Sequence, residues 1–252
     1  MVSKDIYSNE IEELLLNESD SEQQQILSRF FKTGKGEYGE GDRFLGIRVP
    51  RTRAIVKEAK LRVGYQEIEK LLKSPWHEVR LSGFLLLVEE MKGNLPRKND
   101  KNADAKREAR KRIAEFYLAN ARRANNWDLV DLSAPYILGP YLRLDQHDYK
   151  ILFDLASSDN LWEQRIAIVS TIDLIRNGIY HPTLSISDRL MHHHHDLIHK
   201  AIGWMLREIG KRDKATLLDY LEETYASLPR TSLRYAIERF PEHERRYWLT
   251  RK

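Results

Sequence analysis

Apolar residues recur at three- and four-residue steps along nearly the whole chain. This spacing is typical of helices that bury one face. No convincing alternation of a strand interrupts it, and Pro or Gly separates most of the periodic stretches. The pattern therefore predicts an all-α protein. We expect helices over Ile11 to Phe31, Arg51 to Lys60, Gln66 to Lys73, Val79 to Met91, Ala105 to Ala121, Ile166 to Ile175 and Thr216 to Ala226.

A degenerate repeat accompanies the helical pattern. In each copy a basic residue near a helix start is followed by small or apolar residues, and the basic positions 165, 200 and 234 are 35 and 34 residues apart. Such spacing indicates stacked helix pairs, as in HEAT or armadillo proteins. We therefore expect an α-solenoid of HEAT-like repeats, curved, with a concave basic face. The copies are His77 to Gly83, Trp162 to Ile168, Leu197 to Gly203 and Thr231 to Ile237.

The same pattern predicts a single domain over residues 1–252, with two irregular insertions. The first, 34–42, is rich in glycine and is followed by Arg43 and Arg48, a combination that could cradle a phosphate. Its spacing matches no nucleotide-binding fingerprint, so a flexible loop between helices is the alternative. The second insertion, 93–104, is polar.

Composition excludes several classes of protein. No run of about 18 apolar residues is present, which argues against a transmembrane helix. The start, Met1 to Ile6, lacks the apolar core of a signal peptide. The chain has no cysteine, so disulfides, thiol catalysis and thiolate metal sites are excluded, and a cytoplasmic protein is expected.

The net charge of +4 is unevenly distributed. Between Lys92 and Arg112 there are nine Lys or Arg and three Asp or Glu, which gives +6 in this stretch and −2 in the rest of the chain. A basic stretch of this kind suits binding to phosphates. A solvated loop and helix face would have the same composition.

The stretch from Asn125 to Asp131 carries the most specific chemistry. Asn125 or Asn126 suits the N-cap of a helix that begins near Trp127, and Asp128 in the first turn would stabilise the helix dipole. Trp127 and Asp131 are four residues apart and share one helix face. An electron-rich ring beside a carboxylate suits a cationic target. The alternatives are core packing for the ring, as for Trp204, and a salt bridge for the carboxylate.

Other catalytic and metal-binding patterns are weak. His192 to His195 is an internal run whose adjacent side chains point in different directions on a helix. His195 and His199 have the i, i+4 spacing of metal ligands but lack an HExxH context. No GxSxG elbow is present for a serine nucleophile. We therefore predict no metal site.

Four segments together resemble the AlkD family of bacterial DNA glycosylases, which are built from HEAT-like repeats. Their order and rough spacing are similar, and the likeness covers most of the chain. The motifs Trp-Asp-Leu-Val-Asp and Lys-Ala-Ile-Gly-Trp are specific in combination. The segments are Phe44 to Pro50, Trp127 to Asp131, Ser158 to Arg165 and Lys200 to Glu208.

The resemblance implies a function and its residues. Members of this family excise cationic N3- and N7-alkylated purines from duplex DNA without a metal or cofactor, and without flipping the base into a pocket. Trp127 and Trp204 match the two active-site tryptophans, Asp131 matches the catalytic carboxylate, and Arg165 matches an arginine near the backbone of the lesion. The expected partner is double-stranded DNA with alkylated bases, and the expected state is a monomer. We assign further DNA contacts to Arg48, Arg207, Lys106 and Arg110.

The chain also departs from the family pattern. Phe30 stands where relatives have a tyrosine, the stretches Thr33 to Asp42 and Lys92 to Arg112 are longer, and Pro229 to Glu238 is specific to this branch. Some HEAT-like relatives bind DNA without excising bases, so a non-catalytic solenoid for damaged or branched DNA is the first alternative. A protein-interaction scaffold is the second.

Overall fold

The computed structural model describes residues 5–146 and 148–251, so the first four residues of the start segment lie outside it. In these ranges the chain forms α-helices, a short 3-10 helix at Ala121–Arg123 and no strand beyond an isolated bridge between Arg43 and Trp76. This confirms the prediction of an all-α protein. The helices are α1 (Ser8–Leu16), α2 (Ser21–Phe30), α3 (Val49–Ala59), α4 (Tyr65–Leu72), α5 (His77–Gly93), α6 (Ala103–Ala119), α7 (Trp127–Asp131), α8 (Ala134–Asp145), α9 (Lys150–Ala156), α10 (Leu161–Val169), α11 (Ile172–Arg176), α12 (His181–Leu190), α13 (Asp196–Gly210), α14 (Lys214–Thr224), α15 (Arg230–Ala236) and α16 (Glu242–Thr250).

The contacts divide the chain between Ile137 and Leu138 into two compact units. The single domain over 1–252 and the concave basic face stay predictions. A bilayer crossing needs a long and strongly apolar helix, and none of the helices in the described ranges meets that requirement.

Helix α5 is the centre of the first unit. Its apolar run Leu81, Phe84, Leu85, Leu86, Leu87 and Val88 is buried on every side. A helix that is apolar all round must be enclosed by neighbours. Helices α1, α3, α4, α6 and α7 pack against it. The first turn of α5, from His77 to Arg80, is polar and is nevertheless buried as well.

Helix α13 has the corresponding position in the second unit, where it packs against α10, α11, α12, α14 and α15. The repeat copies that begin at Trp162, Leu197 and Thr231 lie on α10, α13 and α15, and α13 contacts both of the other two. Consecutive repeat copies in contact are consistent with an α-solenoid.

Two helices predicted as continuous are each divided in two. The prediction of one helix over Ile11 to Phe31 is wrong, because residues 17–20 form a connection between α1 and α2. Asp20, the last residue of this connection, is the N-cap of α2. Its carboxylate accepts hydrogen bonds from the amides of Glu22 and Gln23, and its own amide donates to the Leu45 carbonyl at 2.9 Å. A side chain that caps the first turn fixes the start of a new helix. Ile166 to Ile175 is likewise divided into α10 and α11.

Irregular backbone lies where the sequence predicts it. Residues 31–48 contain turns and no helix, and residues 94–102 connect α5 to α6. Helix α2, which precedes the first of these stretches, has no buried residue, and Phe30 at its end is 60% exposed. The stability of α2 therefore depends on its N-cap, Asp20, and on the contacts that one face of the helix makes with neighbouring residues.

Gly203 allows α13 and α15 to approach each other closely. A Cβ at this position would lie 2.5 Å from the Ser232 carbonyl oxygen and 2.5 Å from the Tyr235 Cβ. We predict that Gly203→Ala lowers the free energy of unfolding by about 1–3 kcal/mol through overpacking, although alanine has the higher helix propensity. Urea denaturation measures the change.

Gly93→Ala is the matched control, because the nearest atom to its added Cβ would be the Leu61 Cδ2 at 3.7 Å. This variant should be neutral or slightly stabilised. Equal effects of the two substitutions would show that α13 and α15 are not in such close contact.

Candidate functional site

A cavity of about 450 Å³ lies in the first unit, and it is the candidate active site. Helix α2, the segment from Phe44 to Pro50, the first turns of α5 and helix α7 form its walls. The lining is mostly aromatic and aliphatic, with a few charged groups. It consists of Leu27, Phe30, Phe31, Phe44, Ile47, Arg48, Val49, Pro50, His77, Glu78, Leu81, Trp127, Asp128, Asp131 and Leu132.

Helix α7 brings Trp127 and Asp131 to this cavity. Asn126, and not Asn125, is the N-cap, and its side-chain oxygen accepts a hydrogen bond from the Trp127 amide at 2.9 Å. One turn separates the indole from the carboxylate, and both side chains are half-buried and line the cavity. The i, i+4 spacing in the sequence therefore corresponds to a shared wall of one cavity.

Aromatic rings surround Trp127. The Phe31 ring stacks on it with centroids 5.1 Å apart, and the Phe30 ring meets it edge-on at 5.8 Å. Contacts between rings in these geometries stabilise their relative orientation. The indole is thus held by packing as well as by the backbone of α7.

Glu78 fixes the segment from Phe44 to Pro50, which forms another wall of the cavity. Its buried carboxylate accepts hydrogen bonds from the backbone amides of Leu45, Gly46 and Ile47 at 2.8, 2.9 and 3.0 Å. Gly46 has φ +90°, and a Cβ there would lie 2.1 Å from the Asp20 carbonyl oxygen. Only glycine meets both conditions. The Phe44 to Pro50 segment is therefore shaped by one carboxylate and one glycine.

A buried ionic cluster extends inward from the cavity wall, to which His77 and Asp128 belong. His77 Nδ1 is 2.7 Å from an Asp42 carboxylate oxygen, and His77 Nε2 is 2.9 Å from an Asp128 carboxylate oxygen. Arg80 donates to the second oxygen of Asp42, and the Asn126 amide donates to Asp42 at 3.3 Å. Two basic and two acidic side chains are thereby paired in a buried site.

The cluster changes the pKa of its members. Burial alone would lower the pKa of His77, but the charge of Asp128 and the hydrogen bonds to Asp128 and Asp42 outweigh it and raise the pKa of His77 to about 9. Burial opposes ionisation of Asp42, yet its contacts with His77 and Arg80 lower the pKa of that carboxyl. At neutral pH the cluster is therefore an ionised His77 between two carboxylates.

Three of the residues assigned to DNA or to catalysis lie in the second unit. Trp204 on α13 is half-buried. Arg207, one turn further along, forms an ion pair with Glu238. Arg165 on α10 is buried, and its guanidinium donates to the Leu197 carbonyl at 2.6 Å, so this contact joins two neighbouring repeat copies. A role for Arg165 at DNA stays a prediction.

The remaining assigned cations lie in the first unit. Arg48 is exposed and lines the cavity with Trp127 and Asp131. Lys106 forms an ion pair with Asp100 at 2.6 Å, and Arg110 is buried and donates to the Asn94 carbonyl at 2.9 Å. These two contacts hold the 94–102 connection against α6. Lys106 and Arg110 therefore have a structural role.

In the second unit, side chains of the histidine run accept hydrogen bonds from backbone amides. His195 is the N-cap of α13, where its Nδ1 accepts a hydrogen bond from the Leu197 amide at 3.1 Å. His193 Nδ1 accepts one from the His195 amide at 2.9 Å. Among the residues that the structure describes, no group of three or more His, Asp or Glu is arranged to hold a metal ion.

The sequence reasoning missed the residues that support the cavity. The sequence pattern assigns His77, Glu78 and Arg80 to one copy of the repeat frame, and it assigns Asp128 to the helix dipole. Asp128 does accept from the Leu129 amide at 2.9 Å, but its other oxygen faces His77. Three ionisable side chains directly before a long apolar run were the available signal, because buried ionisable groups need partners.

Comparison with known proteins places these observations in context. Residues 11–240 match the sequence family described as DNA alkylation repair enzyme. A solved structure described as a predicted DNA alkylation repair enzyme from Enterococcus faecalis is similar, with a TM-score of 0.66 and 18% sequence identity over 89% of this chain and 97% of that one. At this identity the likeness shows a shared fold. No curated protein matches the chain.

Removing the charge of Glu78 tests how far it fixes the cavity wall. We predict that Glu78→Gln lowers the free energy of unfolding by roughly 2–4 kcal/mol, because an amide presents only one acceptor to three buried donors. Urea denaturation at neutral pH measures the loss.

Glu69→Gln is the control, since Glu69 forms an exposed i, i+4 pair with Lys73. That change should stay within about 0.5 kcal/mol. A Glu78 variant as stable as the control would contradict the described contacts.

Proposed function

Because residues 11–240 match its sequence model, the chain belongs to the DNA alkylation repair enzyme family, and we propose that it releases cationic N3- and N7-alkylated purines from duplex DNA by hydrolysing the N-glycosidic bond. The observation that carries the proposal is the placement of Trp127 and Asp131 in one aromatic cavity. The fold and the family agree with it. Duplex DNA with alkylated bases is the proposed substrate.

The chemistry of the substrate explains why so few groups are needed. Alkylation at N3 or N7 gives the purine a positive charge, so it leaves with the electron pair of the bond to C1′ without first being protonated. Positive charge then develops on the deoxyribose, as in other glycoside hydrolyses. Water adds to C1′ and loses a proton. A fixed carboxylate beside the sugar lowers the energy of this state.

Asp131 is the acid that we assign to this task. Its position matches the catalytic carboxylate in the family resemblance, four residues after Trp127 on α7. Asp131 lies half-buried at the cavity beside Trp127. We assign to its carboxylate the stabilisation of the sugar cation and the orientation of the attacking water.

Aromatic faces are the second component of the proposed site. The Trp127 ring would contact the cationic base or sugar, which favours charge over an electron-rich face. By the family resemblance Trp204 supplies a second indole, and Arg165 is assigned to the backbone near the lesion. We assign to Arg48, which is exposed at the cavity, a contact with a phosphate of the bound strand. No cofactor enters this scheme, and base flipping is not required by it.

Asparagine at position 131 tests the proposed chemistry directly. We predict that Asp131→Asn slows the release of 7-methylguanine from methylated duplex DNA by about two to four orders of magnitude, because the amide carries no charge to stabilise the sugar cation. Chromatography of the released base under single-turnover conditions measures the rate.

Asp154→Asn is the matched control, as Asp154 is in an exposed pair with Lys150 on α9. It should release base at the wild-type rate. Wild-type release by the Asp131 variant would refute the assignment, and tight DNA binding without release by the wild type would favour the non-catalytic alternative.

Exposed cations of the 94–102 connection should contribute to DNA binding. Lys98 and Lys101 are exposed there. We predict that Lys98→Glu with Lys101→Glu weakens binding to any duplex and reduces the slope of log K against log salt by up to about 2, since each lost phosphate contact removes about 0.9. Fluorescence anisotropy over a salt series measures the slope.

The control is Lys70→Glu on α4 with Lys73→Glu at the C-cap of this helix, which makes the same change in charge at two exposed lysines that form ion pairs with Glu67 and Glu69. Equal slopes for the two double variants would exclude a specific contribution from the 94–102 connection.

A further inference from the structure

A continuous stack of rings connects the buried ionic cluster with Trp127. The His77 imidazole stacks on Phe44 with centroids 4.3 Å apart, Phe44 stacks on Phe31 at 4.9 Å, and Phe31 stacks on Trp127 at 5.1 Å. The three interplanar angles are 22°, 15° and 27°. Because these rings are packed in series, a displacement of the imidazole would also displace the Trp127 ring at the cavity.

The imidazole also holds α7 directly. Its two nitrogens face carboxylates on different elements, Asp42 at the end of the glycine-rich stretch and Asp128 in the first turn of α7. Asp128 directly follows Trp127 and lies three residues before Asp131. Contact with Asp128 thus fixes the short helix that carries both proposed active-site residues.

Both contacts need the protonated imidazole. An ionised carboxylate only accepts hydrogen bonds, and an imidazole donates from both nitrogens only when it is charged. A neutral His77 would turn a lone pair towards Asp42 or Asp128. The loss of one proton therefore breaks one of the two contacts and leaves the cluster with an unbalanced negative charge.

The charges around His77 come from three elements. Helix α5 contributes Arg80 and Glu78, the glycine-rich stretch contributes Asp42, and α7 contributes Asp128. Arg80 is paired with Asp42, and Glu78 binds the backbone of the Phe44 to Pro50 segment. None of these partners can replace the cation between Asp42 and Asp128.

We propose that His77, as its imidazolium, is a positioning residue for base release, which orients Trp127 and Asp131 through Asp128 and the ring stack. This inference rests on the function proposed above. We assign no reacting role to His77, because its side chain is buried and both of its ring nitrogens face carboxylates. Its proton determines whether α7 presents the indole and the carboxylate in the orientation that the reaction requires.

The proposal implies a limit to activity at alkaline pH. Contacts with Asp128 and Asp42 raise the pKa of His77 to about 9, against about 6.5 for an unperturbed histidine. A raised pKa in the folded state means that the stabilisation is fully present below about pH 6.5. It decreases as pH rises towards 9 and is lost above that value. The rate of base release should decline over the upper part of the same interval.

Single-turnover release from methylated duplex, measured from pH 6 to 10 with the enzyme-free rate subtracted, tests this role. We expect His77→Gln to slow release roughly 10- to 100-fold at pH 7, as expected for misplaced reacting groups, and to show no alkaline decline near pH 9. Asp128→Asn removes one of the charges that stabilise the imidazolium, so its decline should move to lower pH. Asp154→Asn should leave the profile unchanged.

A titration of the histidine ring nitrogens by NMR gives a readout independent of activity, with the His77 signals identified by their loss in His77→Gln. Both nitrogens should stay protonated at pH 8 in the wild type. If the Asp128 variant has the wild-type profile, or if His77 is neutral at pH 8, the positioning role is refuted. If the wild type releases no base at any pH, the proposed function itself is refuted.

Discussion

The charge of His77 between two buried carboxylates is the interaction on which the first unit depends. Asp42 and Asp128 lie 86 residues apart in the chain, and the imidazole at the start of α5 brings them to opposite sides of one ring. Each ion would be costly to bury alone, so the group is stable only when all members are present. The glycine-rich stretch, α5 and α7 are thereby fixed at one point in the wall of the cavity.

Glu78, the next residue, extends this constraint to a second wall of the cavity. Three amides of the Phe44 to Pro50 segment converge on its carboxylate, and Gly46 permits the tight path past Asp20. Adjacent residues of one helical turn therefore organise two different walls. An apolar helix with a polar first turn can act in this way because its body is enclosed, which prevents that turn from moving to solvent.

Periodicity and local spacing predict the parts of this structure that are local. The helical class follows from the apolar pattern, and the shared face of Trp127 and Asp131 follows from four-residue spacing on a helix that Asn126 begins. The apolar period does not encode the break between α1 and α2, because residues 17–25 contain no apolar residue and Asp20 among them is fixed by a distant contact. Its partner, the Leu45 carbonyl, is 25 residues away. The His77 cluster was missed for the same reason, since no local pattern encodes which distant carboxylates meet an imidazole.

The peripheral position of α2 has a consequence for how this protein could diversify. Leu27 and Phe30 line the cavity, yet no residue of α2 is buried, and the ionic cluster lies on the other elements. Substitutions at such surface-accessible positions usually alter folding energy little. The wall that α2 supplies can therefore change its shape and polarity over evolution while the His77 cluster stays intact, so new ligand preferences can arise there without compensating mutations in the core.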